Sequence, residues 1–389
     1  MLNRVVKGYT MKKLWLIIAL SIFVLHNARA ADDIQLLTED MLQDTEDEEI
    51  EKEEQLENDA EVEDDAKEAS EKTGFFGFIS RPFSKLFSSK ETETETTTIE
   101  SYLERITRQA EEGDVESQMN LAYMYLYGAE DVKQDFAQAL KYYSMAASKE
   151  DPIALNNLGS LYFNGIGTPR DIVKALSLFK KSAELGNDNA ALNLAFIYLT
   201  GGKKDADRNQ MAIKYFEAAH KNNNIAKFML GYAYYRGFVV PQDYEKAFTL
   251  IREAAISGSK IDEAQLVLAE IYIKGHGTVQ NYQNAISAYN AAVKQGNMEA
   301  IMILAQIYTD GVICPKNLVR AHSLFNIAAA KNVPEAASKR DELTVGMKHQ
   351  DLLNAQNLAQ SYKARPSELT GYIRQTYGSN IRQYIDNNM

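Results

Sequence analysis

The sequence predicts an all-α solenoid, a line of stacked helical hairpins. Three observations predict it. Tyr125, Tyr162, Tyr198, Tyr234, Tyr272 and Tyr308 recur at intervals of 37, 36, 36, 38 and 36 residues. Three residues after each tyrosine stands a glycine: Gly128, Gly165, Gly201, Gly237, Gly275 and Gly311. Four residues before each stands a leucine: Leu121, Leu158, Leu194, Leu230, Leu268 and Leu304. A self-repeat of this length, with steps of three and four inside it, suits helix pairs that bury their apolar faces on their neighbours.

Positions are counted from the anchor tyrosine as zero. Minus three is always small: Ala122, Gly159, Ala195, Gly231, Ala269 and Ala305. Minus eight is Ser117, Ala154, Ala190, Ala226, Ala264 and Ala300. These positions share one helical stripe with the leucine and the tyrosine. Bulk fills the hairpin core, and the small residues admit a close second helix. The glycine at plus three ends the first helix, because the residue past a helix end favours positive φ. Pro169, Pro241 and Pro315 follow in the loops and cannot extend the hydrogen-bond ladder.

Asp135, Asp171, Asp243, Asn281 and Asn317 each stand four residues before an alanine. They are expected to cap the second helices by accepting orphan N–H groups. The third repeat has Arg208 at this position, so Asp207 or Asn209 is expected to serve. The small pairs Ala139/Ala146, Ala175/Ser182, Ala212/Ala219, Ala247/Ala254, Ala285/Ala292 and Ala321/Ala328 mark the second helix's contact face.

The order A-x-x-x-L-(G/A)-x-x-Y-x-x-G, a short loop, then D/N-x-x-x-A resembles the Sel1-like repeat. The second copy shows it best, in Ala154, Leu158, Gly159, Tyr162, Gly165, Gly167, Asp171, Lys174, Ala175 and Ala183. The resemblance covers residues 100–363. It implies a right-handed α/α superhelix, related to tetratricopeptide repeats, whose concave face binds proteins or peptides. Exported bacterial members act as envelope adaptors, as regulators of envelope enzymes or signalling, or at host cells; a eukaryotic branch serves as endoplasmic-reticulum adaptors. Some exported members carry a disulfide in every repeat, and the single Cys314 sets this chain apart from them.

Domains follow in order. Residues 1–30 read as a signal peptide: Lys12 and Lys13, an apolar run from Leu14 to Leu25, and Ala28-Arg29-Ala30 with cleavage after Ala30. The other reading of that run is an uncleaved anchor. Residues 31–73 form an acidic segment, with 20 Asp and Glu against 3 Lys in 31–72; such a stretch cannot bury a core and is expected to stay disordered. It is read as a solubilising linker or as an arm for a basic partner. Residues 74–98 hold a Phe-rich segment and a polar linker. Phe75, Phe76, Phe78, Phe83 and Phe87 with Arg81, Lys85 and Lys90 leave three readings open for 74–90: a cap on the first repeat, peripheral membrane contact, or a recognition motif. Residues 99–335 carry the six repeats and a preceding helix, 336–365 the C-terminal capping helices, and 366–389 a tail or a further helix.

The overall charge of −12 belongs to the acidic segment, because 73–389 holds 34 acidic and 34 basic side chains. A near-neutral repeat region argues against nucleic-acid binding. His220, His276, His322 and His349 have no partner at metal-ligand spacing. The G-x-G pairs at Gly165/Gly167 and Gly275/Gly277 belong to repeat turns rather than phosphate loops. Neither a hydrolase's nucleophile elbow nor any other catalytic set is visible, so no enzyme, metal or cofactor is expected.

The expected partner site is the concave face, at positions minus six, minus two, plus one and plus two of the first helices. It comprises Tyr123, Tyr127, Asn156, Asn164, Phe196, Tyr232, Tyr235, Arg236, Glu270, Lys274 and Gln306, with Met119 and Phe228 beside them. Aromatic, Asn and Arg side chains are the types that anchor protein interfaces. Asn156, Asn164, Arg236 and Lys274 are expected to face solvent. The aromatics have a second reading, as packing against the next hairpin. The sequence thus points to a scaffold in the periplasm or envelope that binds a protein or peptide. A secreted factor acting on host cells or membranes is the alternative.

Overall fold

The computed structural model describes residues 102–129, 132–200, 206–256, 260–377, 381–382 and 386. The signal peptide, the acidic segment and the Phe-rich segment expected from the sequence lie outside the described residues. The described residues form sixteen α-helices and no strand. They divide into two compact units, the first ending at Ala219 and the second beginning at His220.

The first unit opens with α1 (Tyr102–Glu111). Three hairpins follow: α2 (Val115–Tyr127) with α3 (Phe136–Ala147), α4 (Pro152–Asn164) with α5 (Ile172–Glu184), and α6 (Asp188–Thr200) with α7 (Ala206–Ala219). The second unit holds α8 (Asn224–Arg236) with α9 (Tyr244–Ile256), α10 (Asp262–Lys274) with α11 (Tyr282–Lys294), and α12 (Met298–Asp310) with α13 (Leu318–Ala329). It continues through α14 (Ala336–Thr344), α15 (His349–Ser361) and α16 (Glu368–Tyr377).

Small residues let the paired helices touch. A Cβ placed on Gly159 would lie 2.9 Å from the Phe179 ring and 3.3 Å from the Ala175 carbonyl oxygen. The α4 and α5 backbones are therefore separated by little more than one ring. Ala175, Phe179 and Ser182 are fully buried on the other side of that contact. The anchor tyrosines divide. Tyr198 and Tyr308 are buried; Tyr125, Tyr162, Tyr234 and Tyr272 are half-buried. Position zero sits where the first helix runs out into its loop, so one edge of the ring stays open. A neighbour covers each half-buried ring. Tyr125 stacks on Tyr142 at 5.8 Å, and Tyr272 meets the edge of Phe248 at 5.7 Å. Lys174 lies 4.2 Å from the Tyr162 ring centre and Lys246 5.1 Å from that of Tyr234.

The second-helix caps form where the sequence places them. Asp135, Asp171, Asp243, Asn281 and Asn317 accept from the backbone N–H three residues on, at 2.8–3.0 Å. The same residues also donate their own N–H back to the anchor tyrosine's carbonyl, at 2.8–3.1 Å. The loop is thereby closed at a fixed length. A side chain one residue earlier adds a second tie: Gln242 to the Tyr235 carbonyl and Gln280 to the Ile273 carbonyl. In the third repeat Asp207 falls within the first turn of α7 rather than ahead of it.

A second series of caps starts the first helices, eleven residues before the tyrosine. Asp114, Asp151, Asn187, Asn223 and Asn297 each accept a backbone N–H at 2.7–3.1 Å. The fifth repeat breaks the series with Ile261, which has no side chain to offer.

Among the C-terminal helices, α15 turns Ala355 inward while Leu353 and Leu358 remain exposed. Its packing face is therefore narrower than its apolar stripe. Among the described residues no helix is long and apolar enough to cross a membrane.

Truncating a fully packed ring should cost more than truncating a half-buried one. Tyr198→Ala is expected to destabilise by about 3–5 kcal/mol, in the range of large aromatic core deletions, and Tyr234→Ala by clearly less. Urea denaturation of the two variants checks this, and equal midpoints would contradict the placement of the rings.

Candidate interaction surface

The expected site residues fall into two groups. Minus six is buried in five of six repeats, at Met119, Asn156, Leu192, Phe228 and Leu266. Plus one is buried at Leu126, Phe163, Leu199 and Tyr235. These positions belong to packing. The expectation that Asn156 faces solvent is corrected: it is fully buried, donating to Asn157 at 3.1 Å and accepting from Asn193 at 2.9 Å. The amides satisfy one another across α4 and α6, which a buried polar side chain requires. Phe196 packs edge-on against Phe216 at 5.5 Å, and Tyr232 and Tyr235 are buried.

Minus two and plus two reach the surface in several repeats. Tyr123 and Tyr127 lie 4.5 Å apart, both half-buried. Asn164 is half-buried and donates to the Ser160 carbonyl. Arg236 and Lys274 are exposed, and Lys274 reaches the Tyr235 hydroxyl at 3.3 Å. Gln306, half-buried, donates to Asp310 at 2.7 Å and accepts from Lys339 at 3.0 Å. Sequence reasoning missed position minus nine. It lies one heptad before minus two and so on the same stripe; it is Glu263 in α10 and Glu299 in α12.

In the second unit residues 367–377, 381, 382 and 386 lie on this stripe. Arg382, its side chain 11% exposed, reaches Glu263 and Glu299 at 2.6 Å each and Glu270 at 3.5 Å. Arg374 pairs with Asp262, whose side chain is 1% exposed. Asn297 donates to both Asp262 and Glu263, at 2.8 and 3.0 Å, and holds the acidic pair in place. Asp386 accepts from Arg236 at 3.1 Å and from the Tyr232 hydroxyl at 3.3 Å. Ile373 and Ile381 are buried. The tail that the sequence leaves undecided is thus helical from Glu368 to Tyr377 and docks through Ile381, Arg382 and Asp386.

The start of this segment completes the broken cap. The Thr370 hydroxyl accepts from the Asp262 N–H at 3.1 Å, at the N-terminus of α10 that Ile261 leaves uncapped. Gln295 accepts from Thr370 and from the Ser367 N–H. Gly296 gives the segment room to pass. Its φ is +82°, and a Cβ there would lie 2.7 Å from that of Ala364.

Burial pushes the Glu263 carboxyl up to about 7, against the pull of Arg382. Glu270 is raised as well, again mainly by burial. Burial works against the Arg382 charge, but Glu263 and Glu299 outweigh it and hold the guanidinium above its ordinary range. Burial, with the Asp386 charge added, takes Tyr232 up to about 12. Docking beyond α16 rests on little apolar area. One buried isoleucine contributes about 1.5–3 kcal/mol, and an exposed pair such as Arg236–Asp386 about 0–1 kcal/mol.

His276 touches the expected site residues: its ring lies 5.9 Å from the Tyr235 ring. His276 stacks on Tyr244 at 4.2 Å. His322 is buried and its Nε2 meets the Thr344 hydroxyl at 3.2 Å. His220 lies just past α7. Among the described residues no three His, Cys, Asp or Glu are grouped to hold a metal ion.

Hairpins that repeat one cap, one loop closure and one close helix contact define a solenoid repeat protein, with a surface stripe able to hold a polypeptide segment. The Sel1 repeat profile matches six times, at residues 115–151, 152–187, 188–224, 225–259, 262–297 and 299–333. The matches cover more than half of the chain, and the chain belongs to the Sel1 repeat family. Sel1 repeats generally mediate protein–protein interaction without catalysis. A Sel1 repeat protein from Oxalobacter formigenes is similar at 26% identity, over 59% of this chain and 99% of that one, with a TM-score of 0.48. A protective antigen of uropathogenic Escherichia coli is similar at 23% identity, over 70% of this chain and 66% of that one, with a TM-score of 0.45. An ERAD-associated E3 ubiquitin-protein ligase component of Arabidopsis thaliana is 40% identical over 52 residues, 13% of this chain and 9% of that protein.

Two outcomes follow from the geometry. Thr370→Val should lower stability by about 0.5–2 kcal/mol, the usual cost of a lost helix cap, as read from the thermal or urea midpoint. A raised carboxyl pKa favours the folded state while the group is protonated. That contribution is present below about pH 4.5 and is lost as pH rises through about 7. The wild type should therefore lose stability between pH 5 and pH 8 relative to Glu263→Gln, and urea midpoints at the two pH values test it.

Proposed function

We propose that this chain is an exported, non-catalytic scaffold that binds a protein or peptide along the minus-nine, minus-two and plus-two stripe of its first helices. One observation carries the reading: in the second unit that stripe already holds a polypeptide segment, by charge pairs to Glu263, Glu270, Glu299 and Arg236. The stripe is set on helices fixed by caps and loop ties. A partner is thus met by side chains that are already in position, which lowers the ordering cost of binding.

Export is part of the proposal. It rests on the basic start, the apolar run Leu14–Leu25 and the Ala28-Arg29-Ala30 site, and it puts the scaffold in the periplasm or envelope. A secreted factor uses the same leader. Fractionation separates the two, with recovery in the periplasm supporting the scaffold and recovery confined to the culture supernatant supporting the secreted factor.

The test of the binding surface is photocrosslinking in cells that express the chain. A photoreactive residue at Lys274, exposed on the stripe, is expected to capture a discrete protein, whereas one at Lys221, exposed in a loop, is not. Identical adducts from both positions, or none at Lys274, would overturn the assignment.

A further inference from the structure

We infer that the first-helix stripe of the second unit recognises an aliphatic–arginine pair followed four residues later by an acid, and that Ile381, Arg382 and Asp386 are its resident, displaceable occupant. The inference rests on the scaffold reading and deepens it by naming the chemistry of the partner.

The surface is built for such a segment from several helices at once. Glu263 and Glu270 come from α10, Glu299 from α12, and Tyr232 and Arg236 from α8. Three carboxylates converge on one guanidinium, and Asn297 orients the most buried of them. Arginine suits this better than lysine, because its planar fork offers several donors at fixed angles. Four residues on, the sign reverses: Arg236 and the Tyr232 hydroxyl receive the Asp386 carboxylate. Ile381 is fully buried beside the pair. The site thus reads an apolar group, a cation and an anion in that order.

The occupant divides into an anchor and a distal part. Ser367, Thr370, Ile373 and Arg374 form the anchor. There the segment repairs the α10 cap and pairs with Asp262, so it is integral to the fold. The distal part repeats the anchor's own chemistry. Ile373-Arg374-Gln375 recurs as Ile381-Arg382-Gln383, eight residues later. Its partners run from buried to exposed: the Glu263 side chain is 3% exposed and that of Glu270 25%, while Glu299 and Arg236 are 44% and 41% exposed. Held by its anchor, the distal part competes at high effective concentration. A free ligand of the same chemistry binds only in the fraction of molecules whose stripe is open, which weakens its apparent affinity by that fraction.

The test uses the full chain and a fluorescent synthetic peptide of residues 366–389. The double variant Arg382→Ala, Asp386→Ala opens the stripe and should bind the wild-type peptide about tenfold more tightly than the wild-type chain does. The same peptide carrying both alanines should bind neither chain. Adding Glu270→Gln and Glu299→Gln to the opened chain should abolish binding of the wild-type peptide. Equal affinity of the wild-type and opened chains overturns the inference, as does equal binding of the two peptides. So does an opened chain that no longer folds, since the distal part would then be structural. Asp386→Ala alone, at a half-exposed pair, gives the second reading and should raise peptide affinity in the same direction. If Lys274 captures a protein in cells while no arm binds peptide, the scaffold stands and the partner chemistry fails. If peptide binds the opened chain but Lys274 captures nothing, the recognition chemistry stands and the cellular scaffold role fails.

Discussion

The structure depends on how closely the two helices of a hairpin approach. At minus three a missing or single-carbon side chain lets a ring or a backbone from the second helix fill the space. At Gly231 a Cβ would sit 2.9 Å from Ile251, much as at Gly159 against Phe179. Interiors packed this tightly tolerate little change in volume, so the small residue, the opposing ring and the loop between them are fixed together. The loop's length is set by hydrogen bonds at both of its ends. The cap residue accepts from its own helix and donates back to the tyrosine carbonyl. That double use is a physical reason for the near-constant spacing between tyrosine and cap.

The same closeness decides which side chains are left to meet a partner. Minus six and plus one are drawn into packing. The surface stripe runs through those members of minus nine, minus two and plus two that packing leaves open, such as Glu299, Gln306 and Arg236, while Ser160 and Phe196 at minus two are buried. In the first unit the packed positions include amides, with Asn156, Asn157 and Asn193 bonded to one another. In the second unit the residues aligned with Asn157 and Asn193 are Met229 and Val267, both buried. A buried amide ladder accepts one register only, because a shifted amide would lose its partner at a cost of about 1–3 kcal/mol.

The electrostatics of the stripe are local. The repeat region is near neutral as a whole, yet Asp262, Glu263, Glu270 and Glu299 gather on one patch and meet Arg374 and Arg382. Buried charges of this kind contribute little net stability but strongly penalise a missing partner. They select what lies against them more than they strengthen the fold.

The sequence alone determined the hairpin, its period, five of the second-helix caps and the helix-ending glycines among the described residues, because these are local. Each follows from side chains within a few residues of the backbone groups they satisfy. The first-helix caps were equally legible, eleven residues before each tyrosine, and the break at Ile261 was a readable sign that α10 takes its cap from elsewhere. Asn156 and Glu263 were not legible. Whether a polar residue on a helix faces water or a neighbouring helix depends on how adjacent hairpins stack, and helical spacing constrains only the helix itself. Thr370 and Arg382 reach α10 from about a hundred residues away in sequence. Only the tertiary structure, which brings those distant groups within hydrogen-bond reach, could assign the segment to the stripe.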